Sequence, residues 1–443
     1  MKRLNWVSPI ITGLVFLFFS VTSSYGSSVI EYIDISNPFL RKIPLAVPWF
    51  KNISQNETGN ALSIELADLL SDTLEFTGYF KLLDREAFLI DPQIPGVIAS
   101  QINFRNWTAI GAEMLVTGGL SIREESFELE LRLFDTVQGS MLVGKRYKGH
   151  REDRRKIIRR FCGEIMLHLT GNHGVFESKI AFVSSLSGKK EIYTCDFDGS
   201  HVQQFTRYDD TTLFPAWSDD MNWIAYTSYA NGKPDLYIKH VTEKKVFTID
   251  KKGIQITPAW VPGKFELAAT LSFSGDQEIY LLTGEGKIIK RLTDSRGIDV
   301  EPTWAPDGKS MAFVSRRSGS PQIYIKEIAS GRVRRLTFDG RYNTQPDWSP
   351  KGDRIAYSAM ANGSIDICTI KVDGSQLVRL TENQGDNEAP SWSPDGSLIV
   401  FNSTREGRSK IYIMTAFGTD QRRLLSLPGE QTNPKWSPNI ISK

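Results

Sequence analysis

The stretch that decides the fold is Pro346-Asp-Trp-Ser-Pro-Lys-Gly-Asp-Arg-Ile-Ala-Tyr-Ser358, because its opening Pro-x-Trp recurs through the second half of the chain. The tryptophans of this pattern follow one another at intervals of 43 or 44 residues and are Trp217, Trp260, Trp304, Trp348, Trp392 and Trp436. A second series of Ile-Tyr or a close variant runs in phase with the first, from Ile192-Tyr193 to Ile411-Tyr412. Two series with one period indicate an internal structural repeat.

Each repeat contains four short strand patterns that are separated by turn residues. In the unit that starts at Pro346, the first strand ends in a Pro-Lys-Gly turn, and later turns contain Asn362-Gly363 and Asp373-Gly374. Proline presets one turn dihedral, and glycine accepts a positive one. Four antiparallel strands in about 40–45 residues are typical of a β-propeller blade.

The two ends of the repeat region predict a closed ring of six blades. The first unit begins at Lys179 with a second-strand pattern, whereas Pro434-Lys-Trp-Ser437 is a first-strand pattern with no further unit after it. We therefore expect the C-terminal strand to complete the first blade, which protects strand edges from unwanted pairing. The tryptophans are interpreted as packing between blades, and ligand stacking is the less favoured alternative.

The residues before the repeats predict a different architecture. Residues 1–26 have a basic start and a short apolar run, which is typical of a secretory signal peptide cleaved near Gly26; an uncleaved anchor is the alternative. Residues 27–170 mix strand patterns with helical periodicity, notably over 60–76 and 151–170. The predicted fold is thus multidomain, α/β plus all-β: a small N-terminal α/β domain (27–170), a linker (171–178) and a six-bladed propeller (179–443).

The first residues after the predicted cleavage site, 27–37, alternate around Val29, Ile33 and Ile35. A terminal segment of this kind is easily released and is able to add to the sheet edge of a partner by β-augmentation. A first strand that stays tied to its own domain is the alternative.

Composition and motifs exclude several classes of function. The net charge of +2 gives no sign of nucleic-acid binding, and the basic run from Arg154 to Arg160 is interpreted as a solvated helix face rather than a nucleic-acid or anionic-lipid surface. Three scattered cysteines favour buried free thiols, and five scattered histidines lack metal-site spacing. No nucleophile elbow, P-loop or dinucleotide fingerprint occurs. The sequence therefore predicts no catalytic residue, no metal site and no cofactor.

With these motifs together, the chain resembles the TolB family, the periplasmic propellers of the Tol–Pal system of Gram-negative bacteria. The more specific parts of the resemblance are Ile33-Asp-Ile-Ser-Asn-Pro-Phe-Leu-Arg-Lys-Ile-Pro-Leu-Ala-Val-Pro48 and Leu169-Thr-Gly171. The chain departs from the pattern at Trp260-Val-Pro-Gly263, which lacks the Asp-Gly turn, and at Cys368, which replaces a tyrosine. Both departures are interpreted as structural.

The resemblance implies a non-enzymatic periplasmic scaffold that supports outer-membrane integrity and invagination during cell division. It would bind the peptidoglycan-associated lipoprotein Pal through one propeller face and TolA through its mature N-terminus, with the two events coupled. Other outer-membrane or peptidoglycan-associated proteins are further candidate partners, and neither nucleic acid nor a direct membrane span is expected. The competing interpretation is a propeller-type hydrolase or a glycan- or peptide-binding periplasmic protein.

The resemblance also places the two partner sites on particular residues. The residues just before Pro-x-Trp lead into the innermost strand of each blade, and those predicted to contact Pal are Thr257, Val300, Glu301, Thr344, Gln345, Glu388 and Asn433. The residues predicted to contact TolA are Val29, Ile30, Glu31, Ile33, Asp34 and Ile35.

Overall fold

The computed structural model describes residues 41–89, 96–123, 126–273, 275–361 and 363–439. The predicted signal peptide (1–26) and the predicted releasable segment (27–37) lie outside these residues.

Residues 43–170 form an α/β region built on one mixed sheet. Its elements in chain order are β1 (Ile43–Ala46), β2 (Lys51–Asn52), α1 (Glu57–Phe76), β3 (Phe80–Leu82), α2 (Phe104–Ala109), β4 (Met114–Arg123), β5 (Ser126–Asp135), β6 (Ser140–His150) and α3 (Arg154–Thr170). The sheet order is β3-β1-β4-β5-β6, with β2 also beside β4. Strand β1 is parallel to β3 and β4, whereas β4, β5 and β6 form an antiparallel meander. Helices α1 and α3 contact each other and pack on this sheet.

Both long helices follow from local sequence signals. The Asn56 side chain caps α1 by accepting a hydrogen bond from the Gly59 amide, and the buried apolar side chains of the helix follow from Leu62 onward. Helix α3 buries one face that includes Ile158 and Phe161, and it ends at Gly171, whose φ of +76° favours glycine. The apolar faces of the two helices and the sheet share one hydrophobic core.

Residues 179–436 form six four-stranded antiparallel sheets arranged as a propeller. Blade 1 contains β7 (Lys179–Ser184), β8 (Glu191–Asp196), β9 (Gln203–Gln204) and the last strand, β30 (Gln431–Trp436). Blade 2 contains β10 (Thr212–Trp217), β11 (Trp223–Ser228), β12 (Asp235–His240) and β13 (Val246–Ile249). Blade 3 contains β14 (Gln255–Trp260), β15 (Glu266–Leu271), β16 (Glu278–Thr283) and β17 (Ile288–Arg291).

The remaining blades repeat this order. Blade 4 contains β18 (Asp299–Trp304), β19 (Ser310–Ser315), β20 (Gln322–Glu327) and β21 (Val333–Arg335). Blade 5 contains β22 (Tyr342–Trp348), β23 (Arg354–Ala361), β24 (Ser364–Lys371) and β25 (Val378–Arg379). Blade 6 contains β26 (Asn387–Trp392), β27 (Leu398–Ser403), β28 (Lys410–Thr415) and β29 (Arg422–Arg423).

The ring closes as the sequence predicts. Strand β30 pairs antiparallel with β7, with Gln431 opposite Ser184 and Trp436 opposite Ile180. The innermost strands β10, β14, β18, β22, β26 and β30 contact one another around the ring. The predicted fold, an α/β region followed by a six-bladed propeller closed by the C-terminal strand, is confirmed.

The Pro-x-Trp tryptophans end the innermost strands and pack between neighbouring blades. The indole Nε1 of Trp260 donates to the Ala216 carbonyl of the preceding blade (3.1 Å), and that of Trp304 donates to the Ala259 carbonyl (3.2 Å). Five of the six are less than a tenth exposed, and Trp348 is half-buried. Their predicted role in packing between blades is therefore confirmed.

The α/β region contacts the propeller at the end of the blades where the innermost strands finish. Phe197, just after β8, lies between Phe76 of α1 and Phe176, with ring centroids 5.1 and 5.6 Å away. The Arg422 guanidinium of blade 6 donates to the Phe76 carbonyl at 2.5 Å. The opposite end, where the innermost strands begin, therefore faces away from the α/β region.

Candidate binding site in the propeller channel

Every innermost strand contains a bulge immediately before its Pro-x-Trp. In blade 4, Val300 pairs with Val314 and Thr303 with Ala312, so the inner strand has one residue more than its partner strand. The other five blades show the same shift. The residue before the proline has a φ between +48° and +55° in all six blades; these residues, named the channel ring here, are Phe214, Thr257, Glu301, Gln345, Ala389 and Asn433.

The backbone of the channel ring is strained. A non-glycine residue at positive φ costs about 1–3 kcal/mol, and a following proline further disfavours helical conformations. Thr257 is especially restricted because it is β-branched, and its hydroxyl is hydrogen-bonded to that of Thr270 at 2.9 Å. Strain of this kind clusters at binding sites, and bulges re-aim side chains. The ring is therefore the candidate functional site.

Side chains of the ring hold the strained backbone of the next blade. The Gln345 amide donates to Glu301 Oε2 at 2.6 Å, and the Ala389 amide donates to Gln345 Oε1 at 2.9 Å. Ala389 has no acceptor to continue the series, so the Asn433 amide donates instead to Asn402 Oδ1 at 3.1 Å. These bonds connect the inner strands of blades 4, 5, 6 and 1 at the level of the ring.

Two acidic side chains lie at this level of the channel. Burial raises the pKa of Glu301 above its usual value; the Gln345 amide opposes this shift, and the charge of Glu388 adds to it. Burial also raises the pKa of Glu388, with Asp386 adding to the shift and the Asn402 side chain opposing it. Partly desolvated carboxyl groups favour a partner that brings N–H donors or a positive charge.

One layer further along the inner strands, an ion pair crosses the channel between Lys435 of blade 1 and Asp347 of blade 5. The other Asp347 oxygen accepts the Trp392 amide at 2.8 Å, and the Ser391 hydroxyl accepts the Trp436 amide at 3.1 Å. Because this layer is occupied by structural contacts, a partner would reach the ring from the mouth where the inner strands begin.

The structure brings all the predicted Pal-contact residues to one level of the channel. Four belong to the channel ring, and Val300, Thr344 and Glu388 precede it by one position. Thr257 and Thr344 are only 8% and 9% exposed. The half-buried members therefore offer more surface to a partner, and they are Val300, Glu301, Gln345, Glu388 and Asn433.

Sequence reasoning missed four residues that belong to this site. Phe214 and Ala389 occupy the two remaining ring positions, and counting three residues back from Trp217 and Trp392 would have found them. Asn402 and Lys435 act through contacts between blades, for which the sequence carries no signal.

Other predicted features are placed as follows. The residues predicted to contact TolA lie outside the described residues. Among the described residues, no group of three or more His, Cys, Asp or Glu side chains is placed to hold a metal ion. None of the described helices is long and apolar enough to cross a membrane. All three cysteines are buried and free.

The fold and the ring define a six-bladed propeller scaffold with an α/β region before it. Comparison with known proteins agrees: the family model described as TolB beta propeller domain matches residues 166–440, and that described as TolB amino-terminal domain matches residues 31–142. The chain therefore belongs to the TolB family, the propeller proteins of the Tol–Pal system.

Individual relatives support this membership. The Tol-Pal system protein TolB of Desulfosudis oleivorans is 58% identical over 263 residues, which cover 59% of this chain and 60% of the relative. The TolB homolog of Chlorobaculum tepidum is 42% identical over 281 residues, 63% of this chain and 62% of the relative. The chain thus spans about three fifths of the length of these curated relatives. The crystal structure of TolB from Acinetobacter baumannii has a TM-score of 0.78 and 26% identity, covering 90% of this chain and 97% of that chain.

Proposed function

We propose that the protein is a non-enzymatic periplasmic scaffold of the Tol–Pal system. In this proposal it binds Pal at the channel mouth and TolA through residues 27–37, and it supports outer-membrane integrity and invagination during division. The observation that carries the Pal part is the channel ring: six side chains of five chemical types on strained backbone at one level of the channel, with hydrogen bonds between blades at several of the positions.

Differences between blades are what make this surface specific. A closed propeller has near-equivalent blades, and a ring of identical residues would present six similar contacts. Here an aromatic, a hydroxyl, a carboxyl, two amides and a methyl group occupy the same position. Hydrogen bonds between blades hold part of the ring in place before binding, so less conformational entropy is lost on docking. Glu301 and Glu388 lie among these positions and would accept donors from Pal.

The Pal site is tested by removing one charge at a time. We expect Glu301→Gln and Glu388→Gln each to weaken Pal binding about tenfold, equivalent to about 1.4 kcal/mol, by isothermal titration calorimetry. Glu243→Gln is the matched control, because Glu243 is exposed and follows β12 at the opposite end of blade 2. Wild-type affinity in both channel variants, with unchanged circular dichroism, would refute this site.

The TolA site is tested by deleting residues 27–37. We expect the shortened protein to lose TolA binding and to keep Pal binding, because the channel mouth and this segment are separate parts of the chain. If TolA binding survives, the assignment of the segment is wrong.

The coupling of the two partners is tested by measuring TolA affinity with and without saturating Pal. Coupling requires that each partner bind two states of the scaffold unequally, so each must change the affinity of the other by the same factor. Equal affinities would exclude coupling. Hydrolysis of an ester or peptide library that is lost on replacing Glu301 would instead favour the propeller-type hydrolase.

A further inference from the structure

A cavity of about 540 Å³ lies where the start of α3 meets blade 1 and the segment that leads into it. Its wall includes the basic residues at the start of α3, with Phe176 and His201 contributed from outside the helix. A volume of this size suits a small organic ligand. The cavity is separate from the channel mouth, since it lies at the end of blade 1 where β8 finishes.

The cavity wall carries an excess of positive charge. Five basic side chains and two acidic ones line it, and the basic ones are Arg154, Arg155, Lys156, Arg159 and Arg160. Two of the five are held by close ion pairs: Arg159 with Asp196 (2.8 Å) and Asp198 (3.1 Å), and Arg154 with Glu65 (2.6 Å). Arg159 also lies over the Phe197 ring, 5.0 Å from its centroid, so it is a fixed part of the wall.

The other three cations are poorly compensated. Arg155 is 3.8 Å from Asp198, which already pairs with Arg159, and Arg160 is 4.0 Å from Glu177. Lys156 makes no ion pair with any residue that the structure describes. These side chains are half-buried or exposed around the cavity, and their charges remain available to a ligand.

This arrangement is locally unfavourable for the helix. The short 3-10 turn 151–153 leads directly into α3 and supplies Glu152, Asp153 and a capping box at His150, but three basic residues, 154–156, then open α3 itself. Positive charges at a helix N-terminus oppose the macrodipole, and like charges four residues apart, such as Lys156 and Arg160, repel. A bound anion would offset both terms at once.

We propose that this cavity is a binding site for a phosphate ester. A phosphate monoester carries nearly two negative charges and a phosphodiester carries one, and the several acceptor oxygens of either match the forked donors of arginine and the three poorly compensated cations. Phe176 also borders the cavity but is only 2% exposed, so the organic part of the ligand would contact mainly the aliphatic stems of the lysine and arginine side chains. The ester could be a soluble sugar phosphate or the headgroup of an anionic lipid, and the two sources are separated by experiment.

The test uses the purified protein at low salt with two probes. Glucose 6-phosphate is titrated by calorimetry, and vesicles of phosphatidylglycerol with phosphatidylcholine are tested by co-sedimentation against vesicles of phosphatidylcholine alone. The cavity variant is Lys156→Gln with Arg160→Gln. The matched control is Lys81→Gln with Arg105→Gln, which removes the same charge from exposed residues of the same region outside the cavity.

We expect wild type and control to bind at least one probe with affinities within twofold of each other, and the cavity variant to bind it at least tenfold more weakly. Binding should weaken as salt is raised, because the contacts are partly exposed. Binding of glucose 6-phosphate identifies a soluble ester, and binding of phosphatidylglycerol vesicles alone identifies a lipid headgroup. The proposal is overturned if wild type binds neither probe, or if the control loses as much binding as the cavity variant. Pal and TolA are absent from the test, so its outcome is independent of the proposed scaffold function.

Discussion

Replacing Asp299 by asparagine is expected to stabilise the propeller at neutral pH by up to about 2 kcal/mol, because Asp299 forms a mismatched pair with Glu278. Both side chains are completely buried at the contact between blades 3 and 4. Glu278 Oε2 and Asp299 Oδ1 have no hydrogen-bond partner among the residues that the structure describes. Two ionised carboxylates supply acceptors only, so this contact lacks a donor unless one of them is protonated.

The equivalent contact between blades 5 and 6 shows what the substitution would restore. There the Asn387 Nδ2 donates to Asp366 Oδ1 at 3.2 Å, and the Asn387 Oδ1 accepts from Arg405 at 3.0 Å. Asp299 is separated from Glu278 and Arg317 by the same numbers of residues that separate Asn387 from Asp366 and Arg405. Asp299→Asn therefore has a template for each of its new bonds within the same molecule.

The expected change in the free energy of unfolding follows from the hydrogen bonds that the substitution adds and weakens. A buried polar atom without a partner costs about 1–3 kcal/mol, and the new amide would satisfy the Glu278 oxygen. Against this, Arg317 Nη2 donates to Asp299 Oδ2 at 2.7 Å, and the loss of the negative charge weakens that bond by about 1 kcal/mol. The net gain is up to about 2 kcal/mol.

The effect should depend on pH. Burial raises the pKa of Asp299, and the charge of Glu278 adds to this shift while Arg317 opposes it. The folded protein therefore keeps this proton to a higher pH than the unfolded chain does, so the stability that the proton provides is lost as pH rises from about 4 through the folded pKa. The advantage of Asp299→Asn should be small in acid and should grow to its full value near neutrality.

The assay is urea denaturation of both proteins from pH 4 to 8, with the free energy of unfolding compared at each pH. The reciprocal control is Asn387→Asp, which creates the same mismatch with Asp366 and should destabilise the protein near neutrality and less in acid. A destabilised Asp299→Asn at pH 7.5, or a stability difference that does not change with pH, would refute the reasoning.

Three further outcomes are expected from the same structure. Deletion of 433–443 removes most of β30 and leaves blade 1 with an unpaired edge, so the melting temperature should fall markedly; an unchanged melting curve would contradict ring closure. Trp304→Ala should cost about 3–5 kcal/mol in unfolding free energy and Trp348→Ala clearly less, because Trp348 is only half-buried. Burial raises the pKa of the Cys368 thiol to about 12, so a thiol reagent at pH 8 should label it only after denaturant is added.

The propeller could be predicted from the sequence because its signals are periodic and local. A fixed interval between tryptophans indicates the blades, and the strand patterns at Lys179 and Pro434 indicate closure. The bulge could not be predicted, because a residue before proline normally avoids the conformation seen at Glu301 or Ala389. The six ring residues also share no chemistry, so no composition signal marks them.

The basic run at the start of α3 shows a different limit. Charge alone is compatible with a solvated face, and only the tertiary structure brings Phe176 and His201 around Lys156 to form a cavity. Likewise, the mismatch of Glu278 with Asp299 depends on which blades are neighbours, and it becomes visible only when the equivalent contacts are compared.

The inner strand of each blade therefore combines two tasks along a short length. Its last residue is always tryptophan and joins blades by packing and by an indole hydrogen bond where a carbonyl is in reach. Its bulged residue varies, because the backbone there is fixed by the proline, by the ladder on both sides and by side chains such as Glu301 of the preceding blade. Constant packing at one end supplies the stability that offsets strain at the other. Side-chain identity in the ring is thus tied to folding where a side chain bonds the next blade, as at Glu301 and Gln345, and in the proposed scaffold the other positions are available to select the partner.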